Sequence, residues 1–101
     1  IRISILNGCG ESGVAKKFAD FFEANRYEIV HVGNADNYDY NETTVIYQES
    51  LSKNSVKRLE KDSGIKKDRL IQDPATNTIG DVKLIIGKDY KELELYKKTQ
   101  I

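Results

Sequence analysis

A chain of 101 residues, 39% hydrophobic and 32% charged, can bury a single core and carries much surface for its volume, which sets the expectation of one small domain and excludes two. Sixteen basic residues balance sixteen acidic ones, so recognition of nucleic acid by bulk attraction, which needs a clear basic excess, is excluded. No apolar run reaches the roughly 18 residues of a membrane-spanning helix, no signal peptide is present, and one Cys cannot close an internal disulfide.

Met is absent altogether and the chain opens directly on strand residues, which reads as an excised domain whose anchor or targeting segment would lie outside it. The charge is uneven. Residues 1–49 carry four Lys/Arg against eight Asp/Glu, residues 50–70 seven against three, and residues 71–101 five of each.

Residues 1–6 (IRISIL) alternate as a strand, with Ile1, Ile3 and Ile5 on one face and Arg2 and Ser4 on the other. A tight loop follows over 7–13. Ser12 is placed to cap a helix running to about Asn25, whose stripe of Val14, Phe18, Phe21, Phe22 and Asn25 faces the core while Lys16, Lys17, Asp20 and Glu23 face water. Residues 27–32 (YEIVHV) read as a second strand closed by Gly33, and a strand–helix–strand of this length makes a right-handed parallel unit. Residues 34–42 form a polar and aromatic loop, and β-branched residues 43–48 a third strand. Ser52 or Asn54 caps a second helix with Val56, Leu59 and Leu51 inward, ended by Gly64. A short strand over 69–72, a loop over 73–80 holding the only Pro, and a strand over 81–87 complete the domain, while the order of the tail after Tyr90 stays open.

The predicted order is β-α-β-β-α-β-β, a two-layer α/β sandwich with two helices on one face of a mixed sheet. If the third strand runs antiparallel to the second and the last parallel to the first, the glycine loop, residues 34–42 and residues 87–90 meet at one sheet edge. Ligands of open α/β sheets bind beyond the carboxyl ends of strands, at such an edge.

Gly8-x-Gly10-x-x-Gly13, between a strand and a helix, has the pattern of a dinucleotide-binding loop, in which glycines let the backbone approach a pyrophosphate. Against this, only one strand–helix–strand unit is present, and the acidic residue expected about 20 positions on falls near Gly33 and Asn34, with Asp36 late. The simpler reading is a sharp turn with close strand–helix packing.

Leu6-Asn7-Gly8-Cys9-Gly10-Glu11-Ser12-Gly13-Val14-Ala15 resembles the LNGxGxxGxA opening of the C-terminal domain of LytR-CpsA-Psr (LCP) proteins. The similarity continues through Val32-Gly33-Asn34-Ala35-Asp36, through Tyr38-x-Tyr40 followed by Thr44-Val45-Ile46-Tyr47, and through Asp81-Val82 and Ile86-Gly87-Lys88-Asp89-Tyr90. It covers residues 1–90 and leaves 91–101 as a tail outside the pattern. Cys9 departs from the small polar residue expected there.

The resemblance implies an accessory module appended to an extracytoplasmic LCP catalytic domain, or standing alone behind a membrane anchor, in Gram-positive bacteria. That catalytic domain attaches anionic polymers to peptidoglycan; its phosphate-gripping arginines and metal-binding acids have no counterpart here, so no enzyme activity and no cofactor carry over. The implied partners are a wall polymer (peptidoglycan or an anionic glycopolymer) or the catalytic domain itself, with the membrane reached only through a segment outside this chain.

Other chemistry is sparse. Cys9 and His31 lie in different segments, whereas a nucleophile–base pair needs contact. One Cys and one His cannot build the usual structural zinc site, and Asp36-x-Tyr38-x-Tyr40 lacks the ligand spacing and central Gly of a calcium loop. Cys9 beside a helix start is either a reactive thiol or an ordinary small loop residue.

The candidate ligand or partner edge is therefore Asn7, Gly8, Gly10, Gly13, Asn34, Asp36, Tyr38, Tyr40, Lys88, Asp89 and Tyr90. There the tyrosines would either stack on sugar rings, with carboxylates bonding hydroxyls, or cover the sheet end. Lys53, Lys57, Arg58, Lys61, Lys66, Lys67 and Arg69 make a basic region that either attracts an anionic polymer or is a solvated helix face. Three functions stay open: a non-catalytic binding module, a nucleotide-binding fragment using the glycine loop, and a structural or regulatory domain docking on its own catalytic domain.

Overall fold

A computed structural model describes residues 1–73 and 80–99. The loop expected over 73–80, with Pro74, thus lies mostly outside the described residues.

Strands β1 (Arg2–Asn7), β2 (Glu28–Asn34), β3 (Thr44–Gln48), β4 (Leu70–Asp73) and β5 (Val82–Ile86) form one mixed sheet in the order β2-β1-β5-β3-β4. β1 pairs parallel with both β2 and β5, β3 is antiparallel to β5, and β4 is parallel to β3. The helices are α1 (Val14–Ala24), α2 (Lys53–Ser63) and α3 (Glu94–Lys98), with 3-10 turns at Lys67–Arg69 and Tyr90–Glu92. Two right-handed crossovers, running outward from opposite sides of the sheet centre in opposite strand directions, put α1 and α2 on the same face. The expected two-layer α/β sandwich is the observed architecture.

The core fills the space between these layers. Ile3, Ile5, Val82, Leu84, Ile86 and Val45 from the sheet meet Val14, Phe18 and Phe22 of α1 and Leu59 of α2, all buried. Phe18 and Phe22 are four apart and project from one helix face, which is why the helical stripe identified them. Phe21 and Asn25, at the margin of that stripe, are only half-buried. Ser4 lies on the opposite sheet face from Ile3 and Ile5 yet is also buried.

Helix ends follow local chemistry with one correction. Ser12 does not cap α1: the helix starts one residue later than a Ser12 cap requires, behind Gly13 in the left-handed conformation (φ 84°), and no side chain caps it. The sharp reversal out of the loop needs that left-handed residue immediately before the first turn. α1 ends where Arg26 N–H donates to Glu23 O and Tyr27 N–H to Phe22 O, with Arg26 itself left-handed (φ 70°). Of the two candidate caps for α2, Ser52 is used, its hydroxyl accepting from Ser55 N–H, and Gly64 ends the helix.

Beyond Tyr90, where the sequence left the conformation open, the chain turns and forms α3. Leu93 and Leu95 enter the common core, and Tyr96 meets Tyr90 edge-to-face at 5.3 Å. Lys98 Nζ donates to the carbonyls of Lys61 and Asp62 near the end of α2.

Candidate functional site

The strand directions bring the carboxyl ends of β1, β2 and β5 to one edge with the start of β3. Four backbone hydrogen bonds stitch the three segments there: Gly8 N–H to Ile86 O (2.9 Å), Tyr40 N–H to Gly8 O (3.2 Å), Lys88 N–H to Tyr40 O (2.8 Å) and Ala35 N–H to Asn7 O (2.9 Å).

Asn7 shapes the glycine loop from inside. Its Oδ1 accepts from Cys9 N–H (3.0 Å), Gly10 N–H (3.0 Å) and the Cys9 thiol (3.3 Å), and its Nδ2 donates to Glu11 O (2.7 Å). A buried amide that satisfies four groups in this way holds the backbone in one shape. The loop N–H groups of Cys9 and Gly10 are thereby already used.

The glycines serve the protein's own side chains. A Cβ on Gly8 would stand 2.8 Å from Ile86 O and 2.8 Å from the Tyr40 ring, so the residue must be glycine for β5 and Tyr40 to approach. Gly10 is left-handed (φ 82°), and Tyr38 lies against it at ordinary contact distance. Gly13 is exposed and stands immediately before α1 as its N-cap.

The tyrosines then separate by role. Tyr38 is 48% exposed. Tyr40 is half-buried, and its hydroxyl donates to Asp36 Oδ1 at 2.7 Å, a bond to the carboxylate that, with some desolvation, raises the phenol above its ordinary value. Tyr90 is buried, covered in part by Tyr96 of the tail, and so belongs to the core instead of a platform. Asn34, Asp36 and Lys88 are exposed on the edge, where Lys88 approaches Asp39 at 3.9 Å.

Asp89 is turned inward. Its Oδ1 accepts from Thr43, its Oδ2 from Arg69 at 2.7 Å, and Thr43 Oγ1 accepts in turn from Gly87 N–H at 3.0 Å. Desolvation pushes the carboxyl up, but the bonds from Arg69 and Thr43 outweigh it and hold the group below the usual carboxylate range. Sequence alone marks neither Thr43 nor Arg69 as an edge residue, and Arg69 reads there only as one of a basic run.

That run does not act as one patch. Arg58 bridges to Asp62 (3.3 Å) and donates to Asn25 O, and Arg69 is tied to Asp89, whereas Lys53, Lys57 and Lys67 are in no ion pair among the described residues. Cys9 is a half-buried free thiol in the loop, and His31 is exposed on the edge strand β2. Among the described residues no group of three His, Cys, Asp or Glu side chains is placed to hold a metal ion, and no helix is long and apolar enough to cross a membrane.

No curated protein and no solved structure matches the chain. A family model does: that of the LytR cell envelope-related transcriptional attenuator family (LytR_C) matches residues 1–90, from β1 through the Gly87–Tyr90 segment that closes the stitched edge, and the chain belongs to that cell-envelope family.

Proposed function

We propose that this domain is a non-catalytic accessory module of a Gram-positive envelope protein, held outside the cytoplasm by a membrane segment beyond this chain. In this reading it binds a wall polymer, peptidoglycan or an anionic glycopolymer, through the strand-end edge. The observation that carries it is Tyr38: a large aromatic 48% exposed, laid on Gly10, with Asn34 and Asp36 exposed on the same edge. An aromatic face flanked by amide and carboxylate groups suits a pyranose ring, which offers C–H faces for stacking and hydroxyls for hydrogen bonds.

The nucleotide alternative has less support, because the Tyr40 ring fills the space in front of Gly8 and Asn7 occupies the loop N–H groups that a pyrophosphate would use. Sedimentation of the domain with purified peptidoglycan and with teichoic acid tests the proposal. Binding that Tyr38→Ala abolishes is the expected result. No binding by the wild type removes the polymer reading and leaves docking on an LCP catalytic domain, to be tested by mixing the two. Calorimetry with NAD and ATP should give no heat of binding.

A further inference from the structure

A second site lies away from the glycine-loop edge, on the flank of α2 near the carboxyl ends of β3 and β4. Helix α2 sends only Leu59 and Ser63 fully into the interior. Beside its first turns lies a cleft of about 420 Å3, within the size range of small-ligand sites. Tyr47 of β3 lines it together with Leu51 and Val56, all half-buried.

Three lysines, Lys53, Lys57 and Lys67, line the same cleft. Lys53 and Lys57 are four residues apart on α2, so they share a helix face and repel each other. Lys53 also sits in the first turn, where the helix dipole disfavours a cation. Lys67 comes from the 3-10 turn before β4. None of the three is ion-paired among the described residues, although Glu49 and Glu60 line the same cleft. The arrangement costs the helix stability, and three lysines against two carboxylates leave a net positive charge beside a concave, partly aromatic surface. An anion carried on a ring answers both features, and Glu49, Glu60 and Gln72 can meet hydroxyls on that ring.

We propose that the Tyr47–Leu51–Val56 cleft, with Lys53, Lys57 and Lys67, binds a phosphorylated sugar. The site is separate from the edge assigned above and stands or falls without it. The test is a titration of isotope-labelled protein with glucose 1-phosphate, followed by amide chemical shifts, with glucose and inorganic phosphate in parallel. Saturable shifts at Tyr47, Leu51, Val56 and Lys57 are expected with glucose 1-phosphate, and much weaker ones with either half. Lys53→Glu/Lys57→Glu should weaken binding about tenfold or more while the amide shifts of β1 and α1 stay unchanged. Lys67→Glu, outside α2, should weaken it without touching the helix. Shifts absent from the cleft, shifts equal for inorganic phosphate, or affinity unmoved by Lys67→Glu in a folded protein would each overturn the proposal.

Discussion

Asp89 takes both polar hydrogens of Thr43 on one oxygen, the backbone N–H and the side-chain hydroxyl, each at 2.8 Å. Its other oxygen holds Arg69 at 2.7 Å, and the Thr43 oxygen accepts from Gly87 N–H. Four polar groups from the end of β5, the start of β3 and the start of β4 are satisfied around one carboxylate. The knot fixes how the antiparallel half of the sheet meets the parallel half. Thr43→Val removes the acceptor for Gly87 N–H and one donor to Asp89 at a site that is 2% exposed. It should lower stability in urea unfolding by about 1–3 kcal/mol, the cost of orphaned buried polar groups. Thr43→Ser should recover most of the loss.

The same carboxylate makes stability depend on acidity. Its folded value lies below the ordinary 3.8 despite desolvation, because Arg69 and Thr43 bond the charged form. The stabilisation is therefore complete above that ordinary value. It is lost as the pH falls from there through the lowered folded value, since the unfolded chain takes up the proton first. Unfolding curves of the wild type and Asp89→Asn should be far apart at neutral pH and converge in that acid range. A gap of constant size down to full acid would show that charge on Asp89 is not what binds Arg69.

Gly8 is set against Ile86 O and the Tyr40 ring with no room for a methyl group. Tyr40 can swing away, but the β5 carbonyl cannot, because it accepts from Gly8 N–H itself. Gly8→Ala should destabilise by about 1–3 kcal/mol, the usual cost of overpacking. That corresponds to a fall in Tm of several degrees for each kcal/mol in a domain of this size, and calorimetric scanning would register it. An unchanged Tm would mean that this part of the sheet edge yields freely.

Features set by near neighbours in the chain were legible in advance. Phe18 and Phe22 announce the core face of α1, Gly64 the end of α2 with Ser52 one of two candidate caps for its start, and the alternation around Ile3 and Ile5 the first strand. Contacts between distant segments were not. Nothing near Gly8 says that Tyr40 fills the space before it, so the phosphate cradle stays an alternative to the simpler sharp turn. Arg69 reads as one more cation of a basic run until the fold sets it against Asp89. Tyr90 looks like an exposed ring because its cover, Tyr96, comes from a tail outside the family pattern. The strand-end edge could be inferred because it depends on strand direction alone.

Tyr27 joins the two main helices. Its ring meets Phe22 edge-to-face at 4.9 Å, Arg58 lies over it at 4.9 Å, and its hydroxyl donates to Asp62 at 2.9 Å. Burial first, then the bond to Asp62, lifts the phenol above its ordinary 10.0. The neutral form is favoured in the folded state, so this contribution is complete below that ordinary value and fades as the pH rises through the higher folded one. Tyr27→Phe should cost about 1 kcal/mol at neutral pH, the net worth of one hydrogen bond. Denaturation measured at increasing alkalinity should bring the variant and the wild type together.

Leu95 tests whether the segment after the family match is part of the folding unit. The match ends at residue 90, yet Leu95 is 0% exposed and Leu93 7%, in contact with the core that α1 and β1 build. α3 has only five residues, too few to be stable as a helix alone, so packing of these leucines must hold it. Leu95→Ala removes a fully buried side chain and should cost about 2–5 kcal/mol in urea unfolding, a large share of what a domain of this size has. Deleting residues 91–101 should cost at least as much, because it also uncovers Tyr90 and strips Lys98 from the end of α2. If the truncated chain unfolds at the same urea concentration as the full one, the core closes without the tail.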